Sequence, residues 1–216
     1  MTQMSQPNQP NLTIPTFRSI QTTVSPTFEP LTAAEAREFC RIDDDSQDST
    51  LDLCVKAARE RIENDTGRAL VTQTLRMTLD AFPCSEGYSQ ESDSSSEAAI
   101  VVPRPPLVSV SSITYVDTNG ATQTLSSSRY TVDTYSEPGR IVPAYGYSWP
   151  STRDVPNAVT VTFVAGYTAT TIPGLAKQAC AILGHHYFDA RNPDAKDEEP
   201  LAVKTLISKL GWGSYS

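Results

Sequence analysis

The sequence lacks the marks of several large protein classes. Its 216 residues include four cysteines, none in a Cys-x-x-Cys arrangement, so neither a zinc knuckle nor a thiol redox motif is present. No apolar run approaches the roughly 20 residues that cross a bilayer, and the first residues, MTQMSQPNQPNLTIPTF, lack the basic and apolar blocks of a signal peptide. We therefore expect a protein made in the cytoplasm that has no membrane partner.

Basic residues are also scarce. The chain has 17 Lys and Arg against 25 Asp and Glu, which gives a formal net charge of −8. A protein that grips DNA through its phosphates needs clustered Lys and Arg, so specific nucleic-acid binding is not expected. The length suits one compact core with appendages.

Catalytic motifs are missing or fit a structural role better. There is no Gly-x-Ser-x-Gly, phosphate-binding glycine loop or His-Glu-x-x-His. Asp65-Thr66-Gly67 matches the aspartic-protease tripeptide, but it follows a charged helical turn, so we interpret Gly67 as a left-handed helix cap. The adjacent His185 and His186 diverge by about 100° on a helix and cannot chelate one metal together. We expect no enzyme, no metal and no cofactor.

An acidic run occupies residues 41–50, RIDDDSQDST. Asp43, Asp45 and Asp48 suggest a calcium-binding loop, but the turn glycine and closing glutamate of an EF-hand are absent from the required positions. We interpret the run as a solvated linker in which Asp48 or Ser49 caps the following helix.

Helical patterns occur near both ends of the chain. Thr32 and Glu35 have the spacing of a capping box and predict a helix over 32–41. Apolar residues at helical spacing predict further helices over 49–66, which Gly67 ends, and over 172–190.

Between these helices, residues 71–166 favour β structure. Apolar residues alternate with polar ones, a bulge is predicted between Val110 and Ile113, and Asn119-Gly120 predicts a turn. Prolines at 103, 105 and 106 hold the backbone extended. We therefore expect an α+β fold in which a small antiparallel β-sheet lies between the helices.

The two ends are predicted to be arms outside a core of residues 31–192. Residues 1–30 hold five prolines among Gln, Asn, Ser and Thr without any period, which predicts an extended arm. Residues 193–216 predict an amphipathic helix that starts at Pro200, followed by two terminal aromatics.

Several blocks in order resemble the head-tail connector, or adaptor, family of tailed bacteriophages. They are RIDDDSQDSTLDLCVKAARERIENDTGRAL, a strand ending LDAFP, VPRPPLVSVSSITYVD, PGRIVPAYGYSWPSTRDVPNAVTVTFVAGY and a Pro-led helix with HHYFDARN. The resemblance covers roughly residues 31–192. It implies a helical-bundle core that is interrupted by the small antiparallel β-sheet insert. It also implies a structural virion protein at the head-tail interface, with an accessory protease or hydrolase, or an assembly chaperone, as the alternatives.

The resemblance further implies partners. Copies of the chain form a ring, expected to be twelvefold to match the portal protein, between the portal and a neck or tail-terminator protein, and genomic DNA passes through unbound. An acidic channel wall would repel DNA phosphates. Asp43, Asp44, Asp45 and Asp48 are candidates for that wall, with a solvated outer linker as the alternative.

The C-terminal segment is the candidate portal contact. Its apolar stripe and its terminal aromatics suit a partner's groove. Folding back onto the chain's own core is the alternative. The candidate residues are Val203, Leu206, Ile207, Leu210, Trp212 and Tyr215.

Overall fold

The computed structural model describes residues 17–83, 99–190 and 200–211. The strands are β1 Ser19–Val24, β2 Gln73–Leu79, β3 Ile100–Val102, β4 Leu107–Val116, β5 Thr122–Thr124, β6 Tyr130–Asp133, β7 Gly139–Pro143 and β8 Val159–Ala165. The helices are α1 Ala33–Cys40, α2 Asp48–Thr66, α3 Gly174–Asp189 and α4 Leu201–Leu210, and a 3-10 turn spans Ser127–Arg129.

The strands form two antiparallel sheets. The larger has the order β1-β2-β8-β4-β5 and the smaller the order β3-β7-β6. Along β2 and β8, alternate side chains are buried while their neighbours are partly exposed, which is the pattern of a sheet with one face on a core. The predicted bulge lies between Val110 and Ser112 of β4, where the register with β8 shifts.

The two sheets enclose a hydrophobic core of their own. It contains Met77, Ile113, Val161 and Phe163 from the larger sheet and Ile100, Val102 and Ile141 from the smaller one, all essentially inaccessible to solvent. Phe82 stacks on Trp149 at one end of this core, with 4.9 Å between ring centroids.

The prediction of a helical-bundle core with a small β insert is therefore wrong. The sheets are a major part of the fold because their period-two residues face each other and bury a complete core. The apolar stripes of the helices suggested a single helical core because the prediction did not take the two facing sheets into account. Within residues predicted to be an arm, Ser19–Val24 forms the edge strand β1, paired with β2.

The helices form a second layer with its own core. Small residues on α2 and α3, including Ala58, Ala176 and Ala179, are buried where the helices contact each other, together with Ile62 and Leu183. A smaller cluster under α1 contains Leu51 and Val55. Side chains of low volume let the helices approach closely, so this layer is compact despite its few helices.

The segment of prolines joins the two layers. The carbonyl oxygen of Pro105 accepts a hydrogen bond from the Ala69 N–H at 3.0 Å, just beyond α2. The carbonyl of Pro106 accepts from the Gly166 N–H, also at 3.0 Å, at the end of β8. Proline has no N–H but keeps its carbonyl acceptor. Arg104, within the same stretch, also donates from Nη1 to the Glu63 carbonyl oxygen of α2 at 2.5 Å, so the stretch is bonded to both layers.

Gly166 provides a sharp test of this junction. Its φ is +108°, and a Cβ placed there would lie 2.3 Å from the Val71 carbonyl oxygen. We expect Gly166→Ala to lower the free energy of unfolding by roughly 2–5 kcal/mol through backbone strain and overpacking. Gly174→Ala is the matched control, because its Cβ meets nothing within 4 Å, and should change stability by less than about 1 kcal/mol. Equal urea midpoints for the two variants would contradict this account.

Candidate functional site

A buried arginine on α2 lies at the centre of a polar network between the layers. Arg59 Nε donates to Glu29 Oε2 at 2.6 Å, and its Nη1 donates to Glu63 Oε2 at 2.8 Å. Only 4% of the Arg59 side chain is exposed. The network ties α2 to the segment that leads from β1 into α1.

Glu63 extends the network to β2. Its Oε1 accepts hydrogen bonds from the Leu70 backbone N–H at 2.8 Å and from Gln73 Nε2 at 3.0 Å. Both carboxylate oxygens of Glu63 are therefore satisfied, which a buried charge requires. Burial acts to lower the pKa of Arg59, but hydrogen bonding to Glu29 and the charges of Glu63 and Glu29 outweigh it and raise that pKa above its ordinary value. The guanidinium stays charged.

Arg68, just beyond α2, forms a second junction. Its Nε donates to the Leu210 carbonyl oxygen at the end of α4 at 2.6 Å, and its Nη2 donates to Glu137 Oε2 at 2.6 Å. Its Nη1 donates to the Tyr167 hydroxyl at 3.3 Å. One side chain thus joins the last described helix, the β6–β7 connection and the segment between β8 and α3.

The Arg59 network borders a groove of about 400 Å³ between β1 and α2. Its walls carry three acidic side chains, Glu29, Glu60 and Glu63, and three basic ones, Lys56, Arg59 and Arg104. Uncharged residues of β1, of β2, of α2 and of the segment just after β1 complete the lining. The groove is polar and balanced in charge, unlike the largely apolar pockets that bind small substrates.

Within the described ranges, nothing forms a metal site or a membrane span. No group of three or more His, Cys, Asp or Glu side chains there could hold an ion. No helix in the same ranges is long and apolar enough to cross a membrane. Burial, with the charge of Glu63 adding to it, raises the pKa of the Cys180 thiol to about 12, so this cysteine stays protonated and is not a nucleophile.

The predicted caps occupy helix ends. Thr32 is the N-cap of α1, where its hydroxyl accepts from the Glu35 N–H and the Glu35 carboxylate accepts from the Thr32 N–H. Gly67 follows α2 with a φ of +67°. The expectation that Asp48 or Ser49 caps α2 is wrong, because Gln47 is the N-cap and makes no side-chain cap bond, while Asp48 is the first helical residue.

The candidate channel residues lie on the α1–α2 connection. Asp43, Asp44 and Asp45 are exposed, and Asp48 is half-buried with its Oδ1 3.3 Å from Arg37 Nε. Hydrogen bonds from the Ser46 hydroxyl and backbone N–H lower the pKa of Asp44 below its ordinary value. The Asp44 carboxylate therefore stays ionised at neutral pH. That this connection faces a DNA channel stays a prediction.

The candidate portal contact is divided between core and surface. Val203 is fully buried and Leu210 nearly so, in the same core as α2 and α3. Leu206 and Ile207 pack at its border, and Trp212 and Tyr215 lie outside the described residues. Contact with a partner through this segment stays a prediction, and Val203 and Leu210 would have to leave the core to take part.

Sequence reasoning did not single out the exposed tyrosines of the smaller sheet. Tyr135 in the β6–β7 connection and Tyr145 after β7 are almost fully exposed. Tyr147 is half exposed and lies beneath the Arg129 guanidinium, 5.6 Å from its ring centroid. Aromatic residues are enriched at protein interfaces. The aromatic-rich stretch AYGYSW, which contains Tyr145 and Tyr147, is the sequence signal that could have identified this surface.

We predict that the Arg59 network carries much of the stability. Arg59→Met should lower the free energy of unfolding by about 3–5 kcal/mol, because it leaves the charge of Glu63 buried without its partner. Arg61→Met is the matched control on the same helix. It removes an exposed i,i+4 pair with Asp65 and should cost no more than about 0.5 kcal/mol. Urea unfolding followed by circular dichroism measures both, and similar losses would contradict the assignment.

Known proteins were found that share the family and the fold of this chain. Residues 29–197 match the family described as head completion protein. No curated protein matches the chain. A chain in the neck of an empty gene transfer agent particle, computed with C6 symmetry, is 21% identical with a TM-score of 0.70, covering 89% of this chain and 95% of that one.

Two further solved structures have the same fold. A chain in the virion of a native gene transfer agent particle is 21% identical with a TM-score of 0.69, over 89% of this chain and 94% of that one. A chain in the neck of the native particle, computed with C12 symmetry, is 20% identical with a TM-score of 0.59, over 88% and 94%.

The chain belongs to the head completion protein family. This is a structural family and not an enzyme family, so the predictions of a structural virion protein of the head-tail connector kind, and of no enzymatic activity, are confirmed.

Proposed function

We propose that the protein forms a ring at the neck of a tailed particle, between the portal and the first tail protein, and that DNA passes through this ring. The family match over residues 29–197 carries the proposal. Support comes from the chains of the same fold that lie in necks of gene transfer agent particles, one of them computed with twelvefold symmetry. Twelve copies would match a twelvefold portal.

The joint between the layers suits a ring subunit. A repeated heterologous contact needs two different surfaces held at a fixed angle, since a change in the angle would prevent closure of the ring. Arg59 and Arg68 each connect separate elements through buried or half-buried ion pairs. Together they restrain the helices relative to the sheets.

The acidic connection between α1 and α2 is our candidate for the channel wall. Asp43, Asp44 and Asp45 are exposed there, and the whole chain carries a net charge of −8. A wall of carboxylates repels phosphates through a field that salt screens over about 8–10 Å. DNA would therefore pass without being held.

The C-terminal segment is our candidate for the portal contact, in a form adapted to its packing. The inner side of α4 holds Val203 in the core, so the contact would use the outer side of α4 and the aromatics beyond it. Aromatic side chains are frequent anchors at such contacts.

The copy number in purified particles tests the proposed function. Quantitative mass spectrometry should find this protein and the portal protein in equal amounts, and electron microscopy should place a ring directly below the portal. An assembly chaperone would be absent from finished particles. Absence, or an amount far below that of the portal, would overturn the proposal.

The portal contact has its own test. Deleting residues 212–216 removes Trp212 and Tyr215 but leaves every described core residue in place. We expect an unchanged melting temperature and at least a tenfold loss of binding to portal-bearing capsids, measured by co-sedimentation. Val203→Ala is the control, since it should lower stability by about 1–3 kcal/mol through lost burial but retain binding below its melting temperature. Full binding by the truncated protein would contradict the assignment.

A further inference from the structure

The chain contains a single Asn-Gly pair, Asn119-Gly120. Both residues are exposed and lie in the turn between β4 and β5. Asparagine is a thermolabile residue type. A following glycine has no side chain to shield its backbone nitrogen, so that nitrogen can approach the asparagine carboxamide closely. Asn119 is therefore the asparagine of this chain that is best suited to lose its amide group spontaneously.

Loss of the amide is a reaction of the chain with itself and then with water. The Gly120 backbone nitrogen attacks Cγ of Asn119. A bond from that nitrogen to Cγ forms, the bond from Cγ to Nδ2 breaks, and the leaving ammonia takes up the proton that the backbone nitrogen loses. Water then opens the resulting succinimide ring to aspartate or isoaspartate. The reaction consumes a water molecule and releases ammonia, so it requires no oxidant and no cofactor.

The turn holds the attacking nitrogen away from its target. The Gly120 N–H donates to the Asp117 carbonyl oxygen at 2.9 Å, and the Asp117 N–H donates to the Ala121 carbonyl oxygen at 2.9 Å. Rotation of the Gly120 nitrogen onto the Asn119 side chain would have to break the first of these bonds. The Arg153 guanidinium lies over Gly120. Its positive charge and the negative charge of Asp117 offset each other near this nitrogen, so the hydrogen bonds are the main restraint.

The Asp117 carboxylate fixes the geometry of this turn. Its Oδ1 accepts from the backbone N–H groups of Asn119 and Ala121, both at 2.9 Å. Its Oδ2 accepts from Gln123 Nε2 at 2.9 Å. These bonds, led by the one from Gln123, lower the pKa of Asp117 below its ordinary value, so the carboxylate is ionised at neutral pH and its hydrogen bonds are charge-assisted. One side chain thus holds the residues on both sides of Gly120.

We propose that Asn119 is a site of spontaneous deamidation and that Asp117 is a positioning residue that slows the reaction by holding the turn. The product places a second carboxylate beside Asp117. Isoaspartate also lengthens the backbone between β4 and β5, which are joined by only three residue pairs, and so weakens the pairing of the edge strand β5. The inference does not depend on the proposed ring. Because a protein in a finished particle is not renewed, altered copies accumulate with age.

Peptide mass spectrometry during storage measures the rate of this reaction. Full-length protein is kept in mildly alkaline buffer, either folded or in concentrated urea, and the fraction of the Asn119 peptide that has exchanged its side-chain NH₂ for OH is followed with time. We expect the reaction to be roughly tenfold faster or more in urea, because the turn that restrains the nitrogen is lost there. Equal rates in the folded and unfolded protein, or no reaction at Asn119 in urea, would overturn the proposal.

Three variants test the role of Asp117. Asp117→Ala removes both acceptor oxygens, and the folded variant should deamidate at Asn119 roughly tenfold faster or more than the folded wild type. Asp117→Asn keeps an acceptor oxygen for the N–H groups of Asn119 and Ala121 and should stay within about threefold of the wild-type rate. Gln123→Ala removes only the bond to Oδ2 and should give an intermediate rate.

The rate at Asn64, at the end of α2, is the internal control for general loosening of the fold and should be the same in all variants. A wild-type rate at Asn119 in the folded Asp117→Ala variant, or equal acceleration by Asp117→Ala and Asp117→Asn, would overturn the role of Asp117. If Asp117→Ala does not fold, a wild-type rate in Gln123→Ala overturns it instead.

Discussion

The buried guanidinium of Arg59 is the constraint on which the two-layer structure depends. A charge held this far from water needs partners in fixed positions, and Glu29 and Glu63 supply them from two different parts of the chain. Because Glu63 also accepts from Leu70 and Gln73, the same network sets where β2 leaves the helical layer. The strand that follows is an inner strand of the larger sheet, between β1 and β8.

The contacts between the two layers bear on both stability and the proposed function. The hydrophobic cores of the two layers supply most of the burial, but apolar packing alone permits sliding between layers. The directional bonds of Arg59 and Arg68 fix the register between them. A subunit of the proposed ring would have to hold its neighbours at a set angle, so fixed orientation would matter more there than a pocket or a reactive group.

Local features were predictable from sequence because their causes are local. The capping box of Thr32 and Glu35 needs only residues three apart, and the bulge in β4 follows from a slip in apolar alternation. Asp48 does not cap α2, and its carboxylate instead lies beside Arg37 of α1, a contact that the tertiary structure sets. The packing of α4 was left between two alternatives, because an amphipathic stripe records that a face is buried and not what covers it.

The sequence by itself determined the helices, the β character of residues 71–166, the acidity, the absence of known catalytic motifs and the family resemblance, since these depend on residue types and their spacing. Only the tertiary structure decided that the strands form two sheets around their own core, because sheet pairing joins residues far apart in the chain, such as Leu75 with Phe163. It also decided that Arg59 is buried. On the helix its charge fits an exposed face, and its burial is tolerable because Glu29, from another segment, joins Glu63 of the same helix as a partner.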